Sequence, residues 1–195
     1  MNVIDVQDRN VEYTSATSLQ HLKGILDLQR RNLAKNLNDQ EVLSQGFVTV
    51  QHSMEDLEKM NSIEQHVIAV HNEKIVAYLL AMTRASRHDI PVLVPMFNVI
   101  DSIMQNDKPL ADASYIVVGQ ACVDKAFRGT GVFDRIYEHY ANSFRSRYEY
   151  IVTEIDAKNT RSLRAHSRAG FQTVREYVAP DDITWHIVLR DFHHD

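Results

Sequence analysis

The stretch Arg128-Gly129-Thr130-Gly131-Val132-Phe133 constrains this chain more than any other. It follows an apolar run, Tyr115 to Val123, and precedes an amphipathic stretch carrying Ile136, Tyr137, Tyr140 and Phe144. The order reads as strand, basic Gly-rich turn, helix. Such a turn aims several backbone N–H groups and the positive end of a helix dipole at one point, which suits a bound pyrophosphate. A dinucleotide fold needs a third glycine three residues after the second, and a P-loop needs Lys then Ser or Thr after its last glycine. Gly131 is followed instead by Val132-Phe133-Asp134-Arg135, which argues against nicotinamide dinucleotides and ATP.

Charge narrows the ligand further. The chain carries a net −5, yet between Arg128 and Arg168 basic residues outnumber acidic ones. A basic segment in an acidic protein suits a phosphate-rich cofactor, and the acidic remainder suits a cationic or neutral second substrate. The overall balance argues against a nucleic-acid partner. With 195 residues, 44% of them hydrophobic, the chain is long enough for one packed core, and a single domain spanning 1–195 is expected. Apolar runs such as Ile75 to Met82 are too short to cross a bilayer, so no membrane partner is expected. The first residues show no signal-peptide core, and the lone Cys122 suits a reducing compartment; a cytoplasmic protein is expected. Ten histidines are scattered without metal-ligand spacing, and His193-His194 reads as a polar tail, so no metal is expected.

Along the chain, Val11 to Thr17 reads as a first strand, with Ser18 as N-cap of a helix carrying Leu19, Leu22, Ile25, Leu26 and Leu33. Further helical stretches are expected from Asn38-Asp39 and over Ser53 to Met60. Val67–Val70 and Ile75–Met82 read as a hairpin, the second strand apolar on both faces and therefore central. Residues 84–113, broken by Pro91, Pro95 and Pro109, read as one short helix with flanking loops packed over the sheet. Tyr115–Asp124 is a strand, Gly131–Arg147 a helix, Tyr150–Ile155 a strand, and Thr160–Ala169 a helix stopped at Gly170. Phe171–Val178 and Ile183–Leu189 close the chain as two strands. The fold class is α/β (α+β): a mixed sheet flanked by helices.

Two segments together carry a family resemblance. Val123-Asp124-Lys125-Ala126-Phe127-Arg128-Gly129-Thr130-Gly131-Val132-Phe133 follows the pattern Val, x, Pro, x, aromatic, Arg or Gln, Gly, x, Gly, Ile or Val, small. Further on, Asn159, Ser162, His166, Gly170 and Phe171 match Asn, then Ala or Ser, then Tyr or His, then Gly-Phe, without a gap. The chain thus resembles the GNAT superfamily of N-acetyltransferases over about residues 67–189. Lys125 replaces the usual proline, Phe133 a small residue beside the pyrophosphate, and His166 the tyrosine that often acts as general acid.

The resemblance implies a mostly antiparallel sheet, with N-terminal helices (about 18–60) and the insertion (about 84–113) on the acceptor side of an acetyl-CoA-binding core (about 115–171). It implies acetyl-CoA as co-substrate and direct attack by the amine of a small molecule or peptide. Backbone amides of Arg128, Gly129, Thr130, Gly131, Val132 and Phe133 would hold the pyrophosphate, with the Arg128 side chain adding charge or remaining a surface arginine. Val123 would pair its main chain with the pantetheine arm. Asn159, Ser162 and His166 fall on one helix face. Asn159 is a pantetheine ligand or an N-cap, and Ser162 a cofactor contact or a packing residue. His166 is a general acid for the departing thiolate, a residue that orders the cofactor, or a satisfied core histidine.

Two polar residues stand out in otherwise apolar strands. Glu154 is the first candidate to take the amine proton, against a structural hydrogen bond, and Gln120 a candidate to orient substrate or water. Cys122 reads as a buried small hydrophobe rather than an acyl carrier. The competing function is a catalytically degenerate module that binds acyl-CoA as a sensor or partner, suggested by Phe133 and His166. Subunits in the family often pair through C-terminal strands, which makes a homodimer a candidate assembly.

Overall fold

A computed structural model of the protein describes residues 10–33, 48, 50–90, 93–179 and 182–192. The stretch from Asn38-Asp39 and the His193-His194 tail lie outside them. The described strands are β1 (Glu12–Ser15), β2 (Val67–His71), β3 (Lys74–Met82), β4 (Met104–Gln105), β5 (Lys108–Pro109), β6 (Tyr115–Val123), β7 (Tyr150–Asp156), β8 (Gln172–Val178) and β9 (Thr184–Asp191). The helices are α1 (Leu19–Asn32), α2 (Met54–Ile63), α3 (Ser86–Asp89), α4 (Val94–Asp101), α5 (Val132–Phe144) and α6 (Thr160–Arg168). Seven strands form one sheet in the order β1-β2-β3-β6-β7-β9-β8, and β4 pairs with β5 apart from it. Only β6 and β7 run parallel. The mixed, mostly antiparallel sheet flanked by helices is the one expected.

Local chemistry explains most boundaries. Ser18 caps α1 by accepting from His21 N, and Leu22, Ile25 and Leu28 turn inward at helical spacing. Ser53 and Asp56 form a reciprocal capping box at α2. Asn72 and Glu73 both take positive φ (48° and 60°), the two-residue turn that matches strand twist in the β2–β3 hairpin. Every residue from Ile75 to Met82 is buried, as a central strand requires. One face of the sheet packs against α1, α2 and α4 through Ile25, Leu57 and Phe97, among others. The other packs against α5 through Tyr137, Tyr140 and Phe144.

The insertion differs from the expected single helix. It holds two helices, α3 and α4, with Pro95 in the first turn of α4, where its missing N–H costs nothing. An ionic network pins it to the sheet. Arg84 donates to Ala111 O (2.7 Å) and Leu110 O (3.1 Å), while Asp101 accepts from Arg87 (2.6 Å) and from the Tyr115 hydroxyl (2.7 Å). These contacts tie the described residues of the insertion to β6 through Tyr115. No helix among the described residues is long and apolar enough to cross a membrane.

Candidate active site

The site begins with one extra residue in β6. Between the pairs Leu79↔Ala121 and Ala81↔Val118, β3 advances two residues and β6 three. That is a β-bulge at Gly119-Gln120, and a bulge bends its strand. The parallel ladder of β6 with β7 covers only Tyr115–Val117 against Tyr150–Val152. Just beyond it, Thr153 Oγ1 donates to Val118 O at 2.7 Å, and the two strands part. Asp124 N donates to Val76 O, so antiparallel alternation turns the main-chain groups of Ala121 and Val123 away from β3 and into the opening.

One side of the opening is a cleft of about 790 Å3. Asp124 caps the 3-10 turn Lys125–Phe127 by accepting from Ala126 N, and Thr130 Oγ1 donates to Phe127 O at 2.6 Å. These bonds present Gly129 (φ 76°) and Gly131 (φ 84°) in the left-handed region, where a Cβ on either would meet no atom within 4 Å. Gly131 is the N-cap of α5 and brings no side chain to cover the first-turn N–H groups. Arg128, Arg161, Arg164 and Arg168 line the same cleft. A floor of bare backbone under a basic rim fits a pyrophosphate-bearing ligand.

The structure refines three expectations there. Arg128 lines the cleft, but its Nε donates to Val123 O (3.0 Å) and another guanidinium nitrogen to Asn32 Oδ1 (2.6 Å), tying β6 to the end of α1. The Val123 carbonyl, expected to face the pantetheine arm, therefore accepts from Arg128. The Phe133 ring leans on Tyr137 (4.9 Å between centroids) and His166 (5.1 Å), and Phe133 lines the cleft.

Asn159 caps α6 by accepting from Ser162 N at 3.2 Å, and both residues line the cleft. His166, on the same face, is 2% exposed. Its Nδ1 lies 2.8 Å from Ser162 O, a carbonyl that only accepts, so Nδ1 carries the proton and Nε2 accepts from the Tyr137 hydroxyl at 2.6 Å. Burial pushes the imidazole down to about 4, leaving it neutral at pH 7 with both nitrogens engaged. Of the three readings, these contacts support the satisfied core histidine, and the ring also borders the second cavity described below.

Gln120 is likewise a pin. Its Oε1 accepts from Tyr78 OH (2.6 Å) and Gln29 Nε2 (3.1 Å), and its Nε2 donates to Val50 O (2.8 Å). Gln29 in turn accepts from His52 N (3.1 Å). The bulge thus feeds a buried network joining α1, β3 and residues 50–52, and Gln120 also lines the second cavity described below. Glu154, half-buried, accepts from the Tyr177 hydroxyl at 2.6 Å. It also lines a second cavity, of about 90 Å3, on the other side of the opening. Val48, Ala121, Asn159 and Ser162 border both cavities, so the two meet between β6 and β7.

At the level of sequence, no protein-family model and no curated protein matches the chain. Solved structures do match. A chain of the NatC complex bound to Gag peptide and CoA superposes with a TM-score of 0.63 at 12% identity, over 93% of this chain and 98% of that one. The ribosomal-protein-S18-alanine N-acetyltransferase from Escherichia coli gives 0.61 at 12% identity, over 93% and 94%. A GNAT-family acetyltransferase from Streptococcus agalactiae 2603 gives 0.63 at 14% identity, over 93% and 95%. The chain has the GNAT fold.

Within the GNAT fold, several residues of the second cavity carried no signal in the sequence: His52, Met82, Leu93, Met96, Asp156 and Trp185. They come from five separate segments, and only topology joins them. Gly119 did carry one, since an isolated glycine inside a strand pattern marks a bulge or a close approach. Both hold: a Cβ there would collide with Met82 Cε. Cys122 lines the larger cleft but is 6% exposed, and burial pushes its thiol up to about 12. A protonated thiol is a poor nucleophile. Cys122→Ala is therefore expected to keep most of its turnover in an acetyl-transfer assay, and near-complete loss would reinstate a covalent acyl-cysteine.

Proposed function

We propose that the protein is an acetyl-CoA-dependent N-acetyltransferase that moves the acetyl group to the amine of a small molecule or peptide by direct attack. The observation that carries this reading is the meeting of two unlike cavities at Ala121, Asn159 and Ser162. One is basic and floored by glycine backbone, fit for the pyrophosphate of coenzyme A. The other is lined by Glu154 and Asp156, fit for an amine. The GNAT fold, the CoA bound in the NatC structure and the amine acceptor in the name of the Escherichia coli enzyme support the same assignment.

Residues of this chain then divide the work. Backbone N–H groups around Gly129–Phe133 bind the phosphates, and the α5 dipole adds to them. Main-chain groups of Ala121, turned into the opening, orient the thioester carbonyl. The neutral amine attacks that carbon, the new C–N bond replaces the C–S bond, and the thiolate leaves with the electron pair. Glu154 takes the amine proton, directly or through water. With one cysteine and no membrane-crossing helix among the described residues, the cytoplasm is the compartment we assign.

The test is CoA release from acetyl-CoA across a panel of amines, polyamines, amino-acid amides and peptides. The reading expects amine-dependent release and an acetylated product by mass spectrometry. Firm acetyl-CoA binding with no release for any amine would replace the enzyme by an acyl-CoA-binding module.

A further inference from the structure

The second cavity narrows the acceptor. Its lining mixes apolar side chains, among them Val50, Met82, Leu93, Met96 and Trp185, with polar ones. Its carboxylates are Glu154 and Asp156, and among the described residues that line it there is no lysine or arginine. His52 is the only histidine there besides His166, and burial lowers both below their ordinary value, so neither offsets those charges near neutral pH. The larger cleft has the opposite make-up, four arginines with Asp134 as its one carboxylate among the described residues. A ligand whose anionic end fills the first cleft thus meets, through the opening, a small chamber that favours a cation beside an apolar group.

Size is set by the same bulge that makes the opening. Met82 is 1% exposed, and its terminal methyl Cε and its Sδ crowd the place a Cβ of residue 119 would take, so the thioether tip packs against Gly119. Leu93 and Met96 stand on the wall fixed by the Arg84, Arg87 and Asp101 network. The chamber is therefore compact and bounded by a pinned insertion.

Resting on the acetyltransferase reading, we infer that the acceptor is a primary amine borne on a compact aliphatic group, held by the apolar wall of Met82, Leu93 and Met96 with its nitrogen toward Glu154. Its nitrogen forms the bond to the acetyl carbon, the C–S bond breaks toward sulfur, and the nitrogen's proton passes to the carboxylate. A polyamine would bury a second charge against methionine and leucine, and an acidic acceptor would face two carboxylates; both are disfavoured. The same chemistry is offered by a free aliphatic amine and by a peptide that begins with an aliphatic residue.

The experiment compares kcat/KM for isopentylamine, leucinamide, a Leu-initiated tetrapeptide, glycinamide, spermidine and aspartamide, with acetyl-CoA affinity measured alongside. The aliphatic amines are expected to exceed spermidine and aspartamide by about tenfold or more. The ratio of tetrapeptide to isopentylamine tells a peptide terminus from a free amine. Leu93→Ala is expected to move the preference toward phenethylamine with acetyl-CoA affinity unchanged, and an unmoved preference would remove the wall from the acceptor site. Spermidine or aspartamide equal to the aliphatic amines would overturn the inference while leaving the enzyme intact. No release with any amine would overturn both.

Discussion

Replacing Gly131 by valine is expected to lower acetyl-CoA affinity by about tenfold or more while the fold survives. A β-branched residue at φ 84° costs on the order of 1–2 kcal/mol of backbone strain. The protein itself has room, because nothing lies within 4 Å of the added Cβ. The bulk therefore falls on whatever enters the cleft. Calorimetric titration should show the affinity loss, worth about 1.4 kcal/mol per factor of ten, beside a modest drop in melting temperature. A variant that loses stability yet binds acetyl-CoA as tightly as the parent would take the glycine turn out of the binding site. The basic rim would then have to bind the cofactor without it.

The second large effect is loss of stability in mild acid. His66 and His166 are both buried and both pushed down to about 4, chiefly by desolvation. In the unfolded chain each ring protonates near pH 6.5. Above that value both states are neutral and the stability is fully present. As pH falls from about 6.5 toward about 4, the unfolded chain takes up protons that the folded chain refuses, and stability falls. With two rings the slope approaches about 2.7 kcal/mol per pH unit in the middle of that window, a large share of the roughly 5–15 kcal/mol that holds a domain. Urea unfolding between pH 7.5 and 4.5 measures it. A flat profile would mean that one or both rings charge freely in the folded protein. The His166→Gln variant should lose about half the slope.

The parts of the site that are continuous in sequence were legible there. Arg128 to Phe133 and Asn159 to Phe171 are local, and a turn, a cap and a helix face are decided by neighbours along the chain. Ser18, Ser53 and the hairpin at Asn72-Glu73 were readable for the same reason. His166 was not, because its spacing places it on the correct face while its role depends on Tyr137 and Phe133 from another helix. Gln120 misled in a related way. A polar residue in an apolar strand demands partners, and the partners came from Gln29, Tyr78 and Val50, which no periodicity joins to it. The second cavity was invisible as a whole, since the strands that open it do so through a register offset between β3 and β6.

That offset is a whole number. β6 carries one residue more than β3 across the same distance, and no rotation of side chains or breathing of the sheet removes it. The seam between β6 and β7 is therefore laid down with the strand pairing when the chain folds, before any ligand arrives. Ligands find it open and lose no binding energy in prising strands apart. Shortening β6 by Gly119 would return Val118 and Ala121 to step with β3 and let the two parallel strands close, so a deletion of one codon separates this sheet from an ordinary, sealed one.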